Sequence, residues 1–455
     1  MDRLPLELLQ RLLTHLDIKT LRNAALSCRI FFNAFKSAEA IITGQALLRQ
    51  INYEVLPEAI LVDKSWGLNA NYQYEIDPDF TYLNEIAISK ALAFTESLKH
   101  REPAPTRWKL VDALRLAEFH GKVSYLASQA AHQALEKQPR LLPAGESPVG
   151  VPTCEEMCRF ERALYRFQLY CNVVHPAFLS EGFLPRNLYF EYFAPWEIEQ
   201  LACIHEHLVR VVSKPFNEVV DHDVLWGGWS VSYISEHPSR HAEGILSKGI
   251  ERIYDLLHAV DYTQRHALLV IDDGDDEDDR PLCAYQFLAD SLEWFVNPLV
   301  SLPEMDEHDV AIVRGSPFYE DPDPGPASMW EWVYRNSDQS TWVADPGMLP
   351  QRRWAFPFWD RSRLEAAGLL EDPEIPVPPC SDDPELKQYK EHERINQLAY
   401  SYTVRRFICE LGGTGFYDPQ DLSKIQWKGD GQPRSHEEVQ KLLEPFFMWH
   451  HGRSR

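Results

Sequence analysis

The sequence lacks a hydrophobic run of membrane-spanning length, and a short apolar run such as 267–271 is typical of a buried element. Glu7, Arg11 and Asp17 interrupt the N-terminal leucines, which is not the pattern of a signal peptide. Only eight cysteines are scattered over 455 residues, so we expect reduced thiols and a cytosolic or nuclear protein. Basic residues (45) are outnumbered by acidic ones (69), and the net charge of −24 disfavours nucleic-acid binding.

Motifs of catalysis are also missing from the sequence. It contains no nucleophile elbow, P-loop, dinucleotide fingerprint or His-Glu-x-x-His, and no carboxylate pair stands out. The acidic run 272–279 lacks the ligand pattern of an EF-hand, so we interpret it as a solvated loop rather than a site for Ca²⁺ or a basic peptide. The sequence therefore predicts no catalytic residue and no cofactor.

One set of side chains has the atoms of a zinc site but not its spacing. Cys-x₃-Cys inside a helix is not the spacing of a zinc finger or ribbon, and His-x-His on a helix points to different faces. We therefore interpret the set as core cysteines and surface histidines and predict no metal. Its members are Cys154, Cys158, Cys203, His205 and His207.

Helical periodicity is what the sequence has in quantity. Thr153 and Glu156 have the spacing of a capping box, and Pro195 is suited to a first helical turn. Gly121 interrupts the helical pattern at 108–138. Pro-rich stretches such as 316–326 and 371–385 are predicted to be surface loops. We predict a mostly α fold. The periodic segments are 108–138, 153–174, 195–212, 239–260, 280–299 and 435–447.

The N-terminal 35 residues contain two apolar stripes at helical spacing. Pro5 precedes the first stripe, which holds Leu8, Leu9, Leu12, Leu13 and Leu16. Asp17 is a predicted N-cap for a second helix, whose stripe holds Leu21, Ala25, Cys28, Phe32 and Phe35. About forty residues cannot fold alone, so these helices must pack on the rest of the chain or on a partner.

The same segment, LPLELLQRLLTHLDIKTLRNAALSCRIFF, resembles the F-box. The resemblance rests on the Leu-Pro start, the Glu-Leu-Leu, the Leu-Asp turn and the Ser-Cys-Arg that ends at Arg29. Phe31 and Phe32 stand where many F-boxes carry Trp. The resemblance implies a three-helix module that docks on the Skp adaptor of a cullin-RING ubiquitin ligase. The implied adaptor contacts are Leu4, Pro5, Leu8, Leu9, Leu12, Leu13, Leu16, Leu21, Cys28 and Phe32.

Beyond the F-box we predict a large irregular helical domain with long Pro-rich loops, and we place the boundary so that 1–45 is the F-box and 46–455 the helical domain. Residues 192–208 look like a segment of uncharacterised filamentous-fungal F-box proteins, which implies a source and no activity.

Tryptophans in three aromatic stretches have two interpretations, as core or as anchors for a target protein. They are Trp226, Trp229, Trp330, Trp332, Trp354 and Trp359.

Three functions remain open from the sequence. The first is the substrate-recognition subunit of an SCF-type ligase, a non-catalytic protein that binds the Skp adaptor and an unknown target protein. The second is an F-box protein that binds the adaptor outside a ligase. The third is an enzyme of unknown type with an N-terminal helical hairpin. No membrane or nucleic-acid partner is predicted.

Overall fold

A computed structural model of the chain gives the architecture. The structure describes residues 4–69, 107–139, 150–178, 189–234, 239–271, 280–283, 287–294, 305–335, 348–370 and 401–427, with the short pieces 89, 93–96, 98, 302, 437–438 and 441. The acidic run 272–279, the Pro-rich stretch 371–385 and most of the predicted C-terminal helix lie outside these residues. The described chain is mostly α, which confirms the predicted fold class.

Four helices form the N-terminal part of the chain: α1 (Leu6–Thr14), α2 (Ile18–Ser27), α3 (Arg29–Ser37) and α4 (Glu39–Gln50). Pro5 occupies the N-cap position of α1. The carboxylate of Asp17 accepts a hydrogen bond from the backbone N–H of Thr20 at 2.8 Å, so the predicted N-cap of α2 is confirmed. The four helices pack on one another around a common apolar interior.

The predicted second helix is in fact two helices, with the break at Cys28. Its backbone is extended (φ −157°, ψ 160°), and its carbonyl accepts from Phe32 at the start of α3. Because the helical periodicity restarts there, Leu21, Ala25 and Phe35 are buried while Cys28 and Phe32 are exposed. The single stripe predicted from Leu21 to Phe35 is therefore wrong.

The remaining elements follow in chain order. The helices are α5 (Leu56–Asn69), α6 (Leu110–Glu136), α7 (Cys154–Phe178), α8 (Pro195–His222), α9 (Val224–Gly228), α10 (Arg240–Leu246), α11 (Gly249–His258), α12 (Tyr262–Leu269), α13 (Leu288–Trp294), α14 (Glu307–Arg314), α15 (Gly325–Arg335), α16 (Leu349–Arg352) and α17 (Arg361–Ala366). Single 3₁₀ turns lie at Phe356–Phe358 and Leu422–Lys424, and residues 401–410 are helical. An antiparallel hairpin, β1 (Gly413–Gly415) with β2 (Ile425–Trp427), pairs Thr414 with Gln426.

The chain divides into two compact units. Unit 1 contains Met1–His207, Ser247–Tyr254 and Gln286–Pro378, and unit 2 contains Leu208–Leu246, Asp255–Tyr285 and Pro379–Arg455. Helices α1 to α4 belong to unit 1 together with α5 to α7. The predicted boundary at residue 45 falls inside α4, and the division of the chain at that point stays a prediction.

Helix α7 is the centre of unit 1 and packs on α5 and α6. The predicted capping box at its start is confirmed: Thr153 Oγ1 accepts from the N–H of Glu156 at 3.1 Å, and Glu156 Oε2 accepts from the N–H of Thr153 at 2.8 Å. Pro195 is the first residue of α8, as predicted. At the start of α8, Glu197 Oε2 also accepts from the N–H of Ala194 at 2.8 Å, so local side chains fix where both long helices begin.

Glycine had two different effects on the predicted helices. Helix α6 continues through Gly121, because one glycine costs only about 1 kcal/mol in a helix of this length. The pattern at 239–260 instead splits into α10 and α11 at Gly249, which has a left-handed φ of +82°. There the Gln168 side chain accepts from Ile250 N at 2.8 Å, and a Cβ on Gly249 would meet it at 2.7 Å.

A row of buried arginines on α7 ties together separate segments of unit 1. Arg159 donates to both carboxylate oxygens of Asp321 (2.7 and 2.9 Å), and Arg162 donates to Asp321 at 3.1 Å. Arg166 donates to Glu58 at 2.9 Å and to Glu197 at 2.7 Å. All three guanidinium groups are buried, so each depends on its carboxylate partners for compensation of its charge.

We expect the Asp321 pairing to contribute to stability at neutral pH and to be lost in acid. Burial opposes ionisation of Asp321, but hydrogen bonds and the positive charge from Arg159 outweigh it and hold the pKa of the carboxyl below its usual range. A lowered folded-state pKa adds stability above the unfolded pKa, and this contribution disappears as pH falls through the folded pKa. Asp321→Asn should therefore be less stable than the natural chain above about pH 5, with a difference that narrows in acid. Urea unfolding across pH measures it, and a difference that stays constant down to pH 3 would contradict the pairing.

Unit 2 is organised around the buried carboxylate of Asp223. It accepts from the N–H of Trp226 at 2.7 Å, from the hydroxyl of Tyr262 at 2.5 Å and lies 3.1 Å from Nε2 of His266. The backbone carbonyl of Asp223 accepts from Arg405 at 2.8 Å. One residue thus holds α9, α12 and the 401–410 helix together. The apolar core beside it contains Val224, Val404, Ile408, Tyr417, Leu422 and Ile425.

Candidate protein-docking surface

Helix α1 carries more leucine than its neighbours cover. Leu9 and Leu13 are buried in the interior shared with α3 and α4. Leu8 and Leu12 lie one helical turn apart, so they share a face, and they remain 50% and 47% exposed. Leu4, which precedes the helix, is also exposed. Because about half of each of these side chains is uncovered, they form an apolar surface available to a partner.

A second group of exposed apolar side chains lies where α2 meets α3. Phe32 and Cys28 are exposed there, together with Leu26 and Ile30. Leu26 and Ile30 were missed from the sequence because they fall outside the predicted stripe. The sequence could have indicated them, because large aliphatic side chains that lie off the core face of an amphipathic helix need another explanation, such as a partner contact.

Three residues predicted to contact the adaptor are not on the accessible surface. Leu9, Leu13 and Leu21 are buried within the N-terminal helices, and Leu16 is half-buried. Their burial is the physical reason that the helices hold together, so this part of the prediction is corrected. The exposed members of the set are Leu4, Pro5, Leu8, Leu12, Cys28 and Phe32, called the docking residues below.

Leu9→Ala should therefore act on stability rather than on a contact. Leu9 is only 4% exposed, and removal of a buried leucine costs about 2–5 kcal/mol through lost burial and the cavity left behind. Circular dichroism melting of the full chain with hydrogen exchange of residues 6–50 measures the effect. Unchanged protection of those helices would show that Leu9 is not part of their interior.

The tryptophans predicted as possible target anchors are mostly core. Trp226, Trp330, Trp354 and Trp359 are buried; Trp226, for example, packs 5.5 Å from the Phe216 ring, and Nε1 of Trp359 donates to the carbonyl of Trp354. Side chains enclosed in this way cannot be reached by a partner, so the interpretation as anchors is corrected for these four. Trp229 and Trp332 are half-buried.

The side chains considered as zinc ligands differ in their burial. Cys154 is exposed and Cys158 and Cys203 are buried, and burial raises the pKa of the Cys158 thiol. His205 and His207 are buried rather than on the surface, which corrects that interpretation. Within the described ranges, no three His, Cys, Asp or Glu side chains form a group able to hold a metal ion.

Comparison with known proteins gives one match. The family model of the F-box domain matches residues 1–40, the segment that carries the docking residues. No curated protein and no solved structure matches the chain. The fold and this match define the class, a mostly helical protein with an N-terminal adaptor-binding module. The chain carries an N-terminal F-box domain.

Membership of this class implies a general role. F-box domains bind the Skp adaptor of SCF-type ubiquitin ligases, and F-box proteins are typically non-catalytic subunits of those ligases. The comparisons do not support a fungal source for residues 192–208. Among the helices of the described ranges, none combines the length and apolar character needed to cross a bilayer.

Proposed function

We propose that this chain is the substrate-recognition subunit of an SCF-type ubiquitin ligase. The observation that carries the proposal is the exposed Leu8 and Leu12 face on α1, which lies inside the segment matched by the F-box model. Covering a solvent-exposed leucine pair with a partner lowers the free energy of the system, and this face is where the adaptor would cover it. The docking residues then place the whole chain beside the cullin.

In this proposal, the helical body of the chain binds the target protein. Ubiquitin transfer would proceed by proximity, because the ligase holds a target lysine near the charged ubiquitin carrier and this chain supplies no reacting group. Trp229 and Trp332 are the members of the predicted anchor set that retain accessible surface. They belong to different units, so each is proposed as a separate contact rather than as one site.

The alternative is an F-box protein that binds the adaptor without a cullin. Co-purification of the tagged full chain with purified adaptor and cullin separates the two. A ligase subunit elutes in a stoichiometric complex with both partners, whereas the alternative elutes with the adaptor alone. Leu8→Ala combined with Leu12→Ala is the negative control, because it removes the proposed contact and leaves the buried leucines in place.

The target is best identified in the same system. Affinity purification of the natural chain after proteasome inhibition should enrich a ubiquitinated protein. The Leu8→Ala, Leu12→Ala chain should retain that protein in unmodified form, since its body is unchanged. If the protein co-purifies with neither chain, the helical body does not bind it. If it is equally ubiquitinated with both chains, this ligase is not responsible for the ubiquitination.

A further inference from the structure

Helix α4 connects residues 4–37, the segment that carries the docking residues, to α6. It does so through side chains at both of its ends. Glu39, its first residue, accepts from the backbone N–H of Leu110 at 3.3 Å, at the start of α6. Gln50, its last residue, accepts from the backbone N–H of Ile18 at 3.1 Å, at the start of α2. The N-terminal N–H groups of a helix have no partner within it, so α4 supplies one acceptor to each of two other helices.

The same two ends hold α4 along α6. The Gln50 backbone carbonyl faces the imidazole of His120, while Glu39 meets Leu110. The separation of Leu110 and His120 along α6 is about 15 Å, and that of Glu39 and Gln50 along α4 is about 16 Å. The matching distances mean that the two helices lie side by side in the same direction, fixed at both ends. Between the two ends of α4, the side chains of Ile42, Ala46 and Leu47 are buried.

We propose that Glu39 and Gln50 are positioning residues, which hold the docking residues in one fixed orientation on the body. Apolar packing of α4 is non-directional, whereas each of these bonds is made only when a particular backbone group faces a particular side chain. The purpose of a fixed orientation rests on the proposed function, because transfer by proximity requires the target to be held at a set distance from the ubiquitin carrier. The orientation itself does not depend on that function.

Distances between dyes at Asn23 on α2 and Gln133 on α6 report the orientation. Both side chains are exposed, and unnatural amino acids allow labelling without the native cysteines. Single-molecule energy transfer on the natural full chain should give one narrow population. Each capping bond favours the docked arrangement roughly fivefold, so Glu39→Ala with Gln50→Ala should raise the population of other distances about twenty-fivefold.

Three controls separate positioning from stability. Glu39→Gln keeps an acceptor for Leu110, and Gln45→Ala removes an exposed glutamine of the same helix, so both should give the natural distribution. Val123→Ala leaves a cavity in the α6 core and should lower the melting temperature without adding distances. An unchanged distribution in the Glu39→Ala, Gln50→Ala chain, or equal broadening by Val123→Ala, would overturn the proposal. Failure of the natural chain to bind adaptor would instead contradict the proposed function and leave the distances as measured.

Discussion

The full chain with Leu8→Ala and Leu12→Ala should lose at least about a hundredfold in affinity for purified Skp adaptor while keeping its fold. Each leucine in a desolvated interface contributes about 2 kcal/mol, and each 1.4 kcal/mol is a factor of ten in Kd. Both side chains are about half exposed in the chain alone, so their truncation leaves the interior of the F-box helices intact. Titration calorimetry gives the affinity, and thermal melting shows whether the fold is kept.

The matched control is a second exposed aliphatic pair. Ile41 and Leu48 lie on α4, beyond the segment that the F-box model matches, and they are 65% and 50% exposed. Ile41→Ala with Leu48→Ala removes similar apolar area and should leave the affinity unchanged. If both double variants weaken binding equally, the leucines of α1 are not a specific contact, and if neither does, the adaptor binds elsewhere or not at all.

Replacement of Arg166 by Met should lower the free energy of unfolding by about 3–5 kcal/mol. Arg166 is the positive partner of Glu58 and Glu197 in the buried row of α7, and burial already raises the pKa of Glu58. Loss of the guanidinium removes the group that donates to Glu58 and leaves Arg162 as its remaining positive neighbour, whereas Met fills much of the volume. Urea unfolding measures the change.

Two further variants test whether burial of an uncompensated charge causes the loss of stability. One changes an exposed ion pair, and the other also removes the charge of Glu58. Arg361 and Glu365 form a 2.7 Å ion pair in the same unit with side chains that are half exposed, so Arg361→Met should change stability by less than about 0.5 kcal/mol. Addition of Glu58→Gln to Arg166→Met should recover stability, because the uncompensated charge is then gone. A small effect of Arg166→Met, or no recovery in the double variant, would mean that Glu58 is compensated by another group.

Local chemistry made parts of the fold predictable from the sequence. The N-cap at Asp17, the capping box from Thr153 to Glu156 and the start of α8 at Pro195 depend only on residues within four positions of each other. The break at Cys28 was missed, because leucine and phenylalanine spacing continues across it and only the backbone changes direction. The turn at Gly249 was missed because its partner, Gln168, is distant in the sequence.

The candidate site was predictable in outline but not residue by residue. The width of the α1 stripe indicated more leucine than one neighbour could cover, yet which leucines face outward depends on α3 and α4. The arginine row of α7 was missed altogether, because its partners Glu58, Glu197 and Asp321 come from three separate segments. Tryptophan content could not distinguish core from surface, because both uses favour the same large side chain.

Titration of the natural full chain with purified Skp adaptor tests the central claim most directly. If the F-box helices present the docking residues as described, the two proteins form a one-to-one complex with a Kd below about 1 µM and a negative heat-capacity change, since apolar surface is buried. Hydrogen-exchange protection on binding should fall within residues 4–37, which contain α1 to α3. A folded chain that shows no binding at adaptor concentrations of about 50 µM, or protection confined to the body, would contradict the account.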